Sequence, residues 1–200
     1  MSVPAPSPQP SPRGERACLA ERLPERLLLP SGEKDGMRGS IFDIRHDLRV
    51  GDVEAIEALV AATGFFTEEE VGVAGLLAAD RLEKGAGSEY EFLIVEADGA
   101  LAGYACYGRT PCTGANYDLY WIAVAPAHQG HGLGRALFAE VEAIVARAGG
   151  RRIYAETSGT DKYAPTRKFY LRTGFQCEAV LKDFYRDGDD KVIYMKVPRP

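Results

Sequence analysis

The stretch Ile122-Ala-Val-Ala-Pro-Ala-His-Gln-Gly-His-Gly-Leu-Gly-Arg135 joins an apolar segment to an amphipathic one through a glycine-rich turn. The apolar segment over 119–124 predicts a strand, and the residues after the turn predict a helix with one buried face. The apolar side chains at helical spacing are Leu133, Leu137, Val141, Ile144, Val145 and Ala148. Gly130, Gly132 and Gly134 remove side chains where the backbone bends, so several N–H groups can point into one concave site. Because a helix N-terminus adds unpaired donors and partial positive charge, the turn predicts a phosphate or pyrophosphate site.

The spacing of the glycines distinguishes between phosphate-binding motifs. A P-loop needs Lys-Ser or Lys-Thr after its glycines, and neither follows here. A dinucleotide fingerprint needs Gly-x-Gly-x-x-Gly near the start of a βαβ unit, which also differs from this spacing. The segment resembles the pyrophosphate loop of the GCN5-related N-acetyltransferase (GNAT) superfamily, Gln/Arg-x-x-Gly-x-Gly/Ala, with Gln129, Gly132 and Gly134 at its fixed positions. The alternative is a glycine-rich helix start that binds nothing.

A second segment, Tyr163-Ala-Pro-Thr-Arg-Lys-Phe-Tyr-Leu-Arg-Thr-Gly-Phe175, resembles another signature of the same superfamily. That signature reads Asn-x-x-Ala-x-x-Leu-Tyr-x-Lys-x-Gly-Phe, and the matching residues are Phe169, Tyr170, Gly174 and Phe175. Tyr163 replaces the Asn to which the resemblance assigns a cofactor hydrogen bond, and a Tyr hydroxyl could substitute for it. The resemblance spans roughly residues 40–197, with all elements in the expected order.

The remaining patterns predict the order β-α-α-β-β-β-α-β-α-β-β. Strands are expected over 40–45, 91–97, 101–107, 117–124, 152–158, 178–185 and 191–197, with a turn at 187–190 and a short helix over 164–173. The first helix is predicted to be capped by Asp52, with Val53, Ile56, Leu59 and Val60 on its buried face. A capping box, Thr67 to Glu70, opens the second, whose buried face is predicted as Val71, Leu76, Leu77 and Leu82. This order implies an α+β (α/β/α) fold with a mixed, mostly antiparallel sheet; the resemblance implies the acyl-CoA N-acyltransferase fold with a splayed strand pair.

The chain has 200 residues, of which 46% are apolar, enough for one domain with a hydrophobic core. The first 39 residues differ, because five prolines alternate there with small and polar residues, a composition that resists helix and sheet. We interpret 1–39 as a disordered or mis-annotated N-terminal extension, with Met37 as a candidate start, and 40–200 as the N-acetyltransferase domain. The alternative is a short docking helix over 20–29.

The overall charge excludes some classes of partner. A net charge of −5 and a pI near 5.3 argue against a nucleic-acid-binding protein, which normally has a basic face. The same balance suits a cationic amine, although it is also ordinary for a soluble protein. The four cysteines show no metal-ligand spacing, and no apolar run approaches the ~20 residues that cross a bilayer. We therefore expect a cytoplasmic protein with no metal, no nucleic-acid partner and no membrane partner.

The resemblance implies acetyl-CoA as the co-substrate and suggests which residues hold it. The backbone of Ile122, Ala123 and Val124 would pair with the pantetheine arm like an added strand. The pyrophosphate would lie on Gln129, Gly130, His131, Gly132, Leu133, Gly134 and Arg135. The cationic candidates for the 3′-phosphate are Arg135, Arg167, Lys168 and Arg172, with a solvated helix face as the alternative for the last three.

The implied chemistry is attack of an amine on the acetyl thioester. Because an amine is mostly protonated at neutral pH, a base must first remove a proton. By the resemblance, Asp118 occupies the strand position where family members often carry a Glu that acts as the general base. The alternative is an Asp at the strand edge that is paired with Arg or Lys. Glu156 is the second candidate base. Tyr170 is the candidate acid for the departing thiolate, since a phenol of pKa about 10 suits a thiol of about 8.5; the alternative is a core aromatic.

The acceptor is expected to be a small-molecule primary amine, with protein lysine or N-terminal acetylation as a second choice. A non-catalytic acyl-CoA-binding or sensor module is the alternative function, and a homodimer is compatible with the sequence. The resemblance places the acceptor site among the first two helices, the loop 110–116 and the final hairpin. Its predicted aromatic surface is Phe65, Phe66, Tyr90, Tyr117, Tyr120, Phe184 and Tyr185, and its predicted acidic residues are Asp183, Asp187, Asp189 and Asp190.

Overall fold

The computed structural model describes residues 25–27 and 42–199, which form one mixed sheet with helices on both faces. The strands are β1 (Glu25–Leu27), β2 (Phe42–Arg45), β3 (Glu91–Ala97), β4 (Ala100–Arg109), β5 (Asn116–Val124), β6 (Arg152–Ser158), β7 (Gln176–Arg186) and β8 (Asp189–Lys196). The helices are α1 (Asp52–Ala62), α2 (Glu68–Lys84), α3 (Leu133–Arg147) and α4 (Ala164–Arg172). The sheet order is β1-β2-β3-β4-β5-β6-β8-β7, and only β5 and β6 run parallel. The predicted mixed, mostly antiparallel sheet is confirmed.

Two hydrophobic clusters cover the two faces of the sheet. On one face, α3 and α4 bury a cluster that includes Leu137, Val141 and Tyr170 against the central strands. On the other face, α1 and α2 bury a cluster that includes Ile56 and Ala78. The α/β/α layering therefore follows from two amphipathic helix pairs, each of which removes one face of the sheet from water.

Asp52 does not cap α1 as predicted. Gly51 is the N-cap residue, and Asp52 lies in the first turn of the helix, buried against Arg45 of β2. The Arg45 guanidinium donates to both carboxylate oxygens, over 2.6 and 2.9 Å. Burial alone would raise the pKa of Asp52, but these hydrogen bonds hold it below its ordinary value. Asp52 therefore joins α1 to the sheet, and removing one partner of such a buried pair typically costs about 3–5 kcal/mol.

The capping box of α2 is confirmed. Its predicted buried face is right for Val71 and Leu77, which pack against the α1/α2 cluster, and wrong for Leu76. Thr67 and Glu70 exchange both capping hydrogen bonds. The residues of α2 that are buried are Ala74, Gly75 and Ala78, whereas Leu76 is 69% exposed. A Cβ on Gly75 would overlap the side chain of Glu57 in α1, so α1 and α2 pack too closely for a large side chain there. Small residues therefore define the contact face.

The hairpin of β7 and β8 is longer than predicted and irregular. Leu181 pairs with Lys191, but the next pair is Arg186 with Asp189, so residues 182–185 form a bulge opposite a single β8 residue. Asp183 adopts a left-handed φ of 52° there, and its backbone N–H donates to the Asp190 carboxylate. The bulge carries Phe184 and Tyr185, which are exposed. The predicted turn over 187–190 is shorter, because Asp189 already belongs to β8 and is buried.

Part of the predicted N-terminal extension lies within the described residues. Glu25–Leu27 form β1 and pair antiparallel with β2, so these three residues are not part of the helix considered over 20–29. The rest of the segment, including the Pro-rich stretch and Met37, lies outside the described residues. The boundary between an extension over 1–39 and a domain over 40–200 stays a prediction.

Candidate active site

A V-shaped cleft opens in the sheet where β5 and β6 separate. The two strands pair from Asn116↔Arg152 to Leu119↔Ala155 and then diverge, with β5 still paired to β4 and β6 still paired to β8. The separation coincides with a β-bulge, because Tyr107 pairs with Leu119 while Cys106 pairs with Trp121, which leaves Tyr120 as the extra residue. A bulge bends its strand and strengthens its twist. The predicted splayed strand pair is confirmed.

The glycine-rich turn lies at the end of β5 and supplies unpaired backbone donors. Gly130 and Gly132 adopt left-handed φ values of 79° and 87°, where a side chain would be strained. Within the described residues, the N–H groups of 130–135 have no backbone acceptor, and the first turn of α3 has no side-chain cap and no acidic residue. These unpaired donors and the helix N-terminus give the turn the positive polarity that favours a pyrophosphate.

Two contacts hold this turn against the sheet. The Gln129 amide donates to the Val124 carbonyl oxygen over 2.9 Å. A Cβ on Gly134 would lie 3.5 Å from the Phe169 ring and 3.6 Å from the Val124 side chain. The side chain of Gln129 therefore fixes the turn to the end of β5, and α3 begins tightly packed between β5 and α4.

The four cationic candidates differ in their surroundings. Arg167 donates to the carbonyl oxygens of Ser158 and Thr160, over 2.8 and 2.6 Å, and so ties α4 to the end of β6. Arg135, Lys168 and Arg172 are exposed. Three of the four predicted cations are thus available to a phosphate, whereas Arg167 is occupied by the backbone.

Tyr170 lies beneath the point where β5 and β6 separate, on the α3/α4 face. Its ring packs against those of Phe175 and Tyr194, with 5.3 Å between ring centroids in each case. Tyr194 pairs with Ala155, the last β6 residue that is paired to β5. Burial raises the pKa of Tyr170 well above its ordinary value, so the hydroxyl stays protonated at neutral pH. The ring is part of the core, and the hydroxyl is the group available for chemistry.

Asp118 lies on the opposite face of the sheet. Its neighbour Leu119 packs into the α3/α4 cluster, so Asp118 points toward the α1/α2 side. The carboxylate is half-buried and accepts a hydrogen bond of 2.7 Å from the Thr110 hydroxyl, and no cation in the described part of the chain pairs with it. Burial raises the pKa of Asp118, and the nearby charge of Glu156 raises it further. The ion-pair alternative for Asp118 therefore does not hold within the described residues.

Glu156 is on the same side of the sheet as Asp118, but it is already paired. Its carboxylate forms an ion pair with Lys191 of β8, and its side chain is 48% exposed. The ammonium of Lys191 also lies 4.3 Å from the ring centroid of Phe184 on the β7 bulge. Glu156 is thus held by a cation, which makes it a weaker candidate base than Asp118.

Aromatic pairs border the cleft on the α1/α2 side. The pairs are Tyr90–Tyr120 at 5.3 Å, Phe66–Trp121 at 5.9 Å, Phe65–Tyr163 at 6.2 Å and Phe184–Tyr185 at 5.1 Å between ring centroids. All the predicted acceptor-site aromatics belong to this group except Tyr117, which packs against the α3/α4 cluster instead. Ordinary strand alternation is the reason, since Tyr117 shares the face of Leu119, whereas Tyr120 lies on the opposite face.

Tyr163, at the position of the signature Asn, has a hydrogen-bond partner within the chain. Its hydroxyl donates to the Phe65 carbonyl oxygen over 3.0 Å and so reaches the α1–α2 loop rather than the glycine-rich turn. The sequence contains no signal for this contact, because the two residues are 98 positions apart.

Comparison with known proteins identifies the family. The model of the family described as "Acetyltransferase (GNAT) family" matches residues 54–175. The chain belongs to the GNAT family. It is therefore an N-acetyltransferase, with the glycine-rich turn and Tyr170 both inside the matched region.

Three similar proteins show how far the likeness to this GNAT enzyme extends. A crystal structure described as a GNAT-family acetyltransferase from Desulfovibrio desulfuricans is 52% identical, with a TM-score of 0.78, and covers 79% of this chain and 99% of its own. Streptothricin acetyltransferase from Streptomyces lavendulae is 29% identical over 188 residues, covering 81% of this chain and 97% of the relative. A protein described as a [ribosomal protein bS18]-alanine N-acetyltransferase from Bacillus subtilis is 26% identical over 106 residues, covering 53% and 67%.

No group of three or more His, Cys, Asp or Glu side chains in 25–27 and 42–199 is placed to hold a metal ion. Over the same residues, no helix combines the length and the apolar character needed to span a bilayer.

Proposed function

We propose that this enzyme transfers an acetyl group from acetyl-CoA directly to the primary amine of a small molecule. The observation that carries the proposal is the placement of groups around the splay point of β5 and β6. Backbone donors and the Tyr170 hydroxyl lie on the α3/α4 side, and Asp118 lies on the α1/α2 side. The cofactor and the amine can therefore reach one point from opposite faces of the sheet.

The residues present fit acetyl-CoA, which supplies the activated acetyl thioester. The N–H groups of 130–135 would bind the pyrophosphate, which is supported by their lack of backbone acceptors and by the helix N-terminus. The edge of β5 at Ile122–Val124, which no longer faces β6, would pair with the pantetheine arm. The exposed cations Arg135, Lys168 and Arg172 would lie closest to the nucleotide phosphates.

The surroundings of the Asp118 carboxylate and of the Tyr170 hydroxyl suit them to act as base and acid. Asp118 accepts a proton from the ammonium form of the amine, and the free amine attacks the carbonyl carbon of the thioester. As the N–C bond forms and the C–S bond breaks, the second proton that the nitrogen loses passes to the departing thiolate, so that CoA leaves as the thiol. The Asp118 side chain is short and half-buried, and its carboxylate already accepts a hydrogen bond from Thr110. The first proton would therefore pass from the amine to the carboxylate through a water molecule. The Tyr170 hydroxyl donates to the departing sulfur. Since its pKa is raised above that of a thiol, near 8.5, donation of a hydrogen bond is favoured over complete proton transfer.

The small-molecule acceptor is supported by three observations. The cleft is bordered by aromatic pairs, the net charge is −5, and the chain covers 97% of a streptothricin acetyltransferase. Acetylation of a protein N-terminus is the second candidate, favoured by the similarity to the bS18-alanine N-acetyltransferase over a shorter range. We rank it second because that relative covers 53% of this chain.

The experiment that tests the function combines binding with turnover. We expect acetyl-CoA to bind in calorimetric titration while ATP and NAD do not, because neither the P-loop nor the dinucleotide spacing is present. CoA release is then followed with streptothricin, simple mono- and diamines, and a peptide that begins with alanine. Release with a small amine supports the proposal, and release with the peptide alone supports the second candidate. Binding without release on any acceptor contradicts the catalytic proposal and favours a sensor.

Tyr170→Phe tests the assignment of the hydroxyl. We expect the rate of CoA release to fall at least about tenfold, because donation to the departing sulfur is lost. The calorimetric Kd of acetyl-CoA should change less than about twofold, since the ring and its packing against Tyr194 remain. An unchanged rate would show that Tyr170 has only a structural role in the hydrophobic core.

A further inference from the structure

The loop between α1 and α2, residues 63–67, bridges the two arms of the cleft. Phe66 packs on Trp121 of the β5 arm, at a centroid distance of 5.9 Å. Phe65 packs edge-on against Tyr163, at 6.2 Å, and Tyr163 lies in the segment that continues from β6 into α4. Two adjacent aromatic residues of one loop therefore contact β5 and the segment that follows β6.

The contact to the β6 arm includes a directed hydrogen bond. The Tyr163 hydroxyl donates to the Phe65 carbonyl oxygen over 3.0 Å. Among the described residues, this is the only side-chain hydrogen bond that joins the loop to the β6–α4 segment. Loss of the bond would leave the aromatic contact alone to hold this end of the loop.

The rest of the loop is stiffened from within. The Thr63 hydroxyl donates to the Val60 carbonyl oxygen over 2.7 Å and accepts from the Phe65 N–H over 3.3 Å. Thr67 then begins α2 with its capping box. A short loop with both ends capped moves mainly as one unit, so its position over the cleft depends on its two outward contacts, at Trp121 and Tyr163.

We propose that Tyr163 is a positioning residue that fixes the α1–α2 loop as a wall of the acceptor site, so that it sets affinity for the amine and not for acetyl-CoA. The inference rests on the acetyl transfer to an amine proposed above. It reverses the role expected for this position from the family signature, where the Asn is assigned to the cofactor. The reason is geometric, since the hydroxyl that would have served the cofactor is occupied by Phe65 on the other side of the cleft.

The surroundings of Tyr163 keep its hydroxyl a donor. The side chain is partly buried, and burial raises its pKa, with the charges of Glu70 and Asp189 acting in the same direction. The bond to Phe65 is therefore present throughout the pH range in which an acetyltransferase assay is run.

Tyr163→Phe removes the bond and keeps the ring. We expect the KM for the best amine of the panel to rise about fivefold, which corresponds to about 1 kcal/mol. The KM for acetyl-CoA should stay within about twofold. Hydrogen–deuterium exchange should become faster in a peptide covering 60–67 and remain unchanged in one covering 130–136. Tyr117→Phe is the matched control, because it makes the same chemical change in β5 on the other face of the sheet.

Two results would overturn the assignment. A rise in the KM or Kd of acetyl-CoA with an unchanged amine KM would return Tyr163 to the cofactor role of the family signature. Unchanged exchange at 60–67 would show that the bond does not hold the loop. If no amine supports CoA release, the proposed function fails, whereas the exchange measurement and the acetyl-CoA Kd still decide whether Tyr163 fixes the loop or serves the cofactor.

Discussion

Gly134→Glu is expected to abolish acetyl-CoA binding, with a Kd at least about 100-fold weaker in calorimetric titration. Gly134 lies in the first turn of α3, between the Phe169 ring and the Val124 side chain. A glutamate there places a negative charge among the backbone donors of 130–135, where the pyrophosphate charge would lie, and it also displaces a close neighbour. Both effects oppose the cofactor and neither acts on the amine side of the cleft.

Two control variants separate the effect of charge at the turn from the effects of added volume and of added charge elsewhere. Gly134→Ala adds a Cβ that meets its neighbours at ordinary distances of 3.5 and 3.6 Å, so its Kd should stay within a few-fold of the parent. Gly72→Glu adds the same charge in α2, where a Cβ meets nothing within 4 Å, and should leave the Kd unchanged. If Gly134→Glu is folded by circular dichroism and still binds acetyl-CoA, the pyrophosphate site is placed wrongly.

Asp118→Asn is expected to lower kcat about 100-fold, the usual size of the loss when a general base is removed. The amide keeps the size of the carboxylate and can still accept from Thr110, so the fold and the Kd of acetyl-CoA should change little. Steady-state rates of CoA release, measured with the best amine at saturating acetyl-CoA, check the expectation. A loss smaller than about threefold would transfer the role of base to Glu156 or to solvent.

The pH dependence gives an independent check on Asp118. The carboxyl must be ionised to act as a base, so the rate should rise with pH through its pKa, which burial and Glu156 raise above the ordinary value. Glu156→Gln removes the negative charge and should move the acidic limb of the profile to lower pH. Thr110→Val removes the hydrogen bond that favours the ionised form and should move it to higher pH. Shifts in the same direction would be inconsistent with Asp118 as the titrating group.

Local sequence patterns were sufficient for most elements. The predicted bounds of β3 and β6 agree with the structure, and α3 begins at Leu133 directly after the glycines. These elements carry strong alternation or strong helical spacing, which depends only on nearby residues. The prediction that Leu76 lies on the buried face of α2 was wrong, because burial there depends on how closely α1 approaches. The pattern of large apolar side chains contains no information on that distance.

The candidate site also has a part that could be predicted from local sequence and a part that could not. The turn over 129–135 was predictable, because an anion-binding helix start is built from consecutive residues. The surroundings of Asp118 were not, since Thr110 and Glu156 approach it from other strands. The same holds for the ion pair of Glu156 with Lys191 of β8 and for the hydrogen bond of Arg167 to the end of β6. In both cases the partner comes from another element.

The sequence by itself determined the order of the elements after β1, the glycine-rich turn and the family, because each depends on residues that are neighbours along the chain. Only the tertiary structure decided that the Tyr170 hydroxyl and Asp118 lie on opposite faces of the splay point, and that Tyr163 contacts Phe65. Those facts depend on which face of the sheet each element packs against and on the divergence of β5 from β6. The bulge at Tyr120 is likewise visible only in the structure. A bulge of one residue exchanges the faces of all residues that follow it in the strand, and local patterns do not reveal where it occurs.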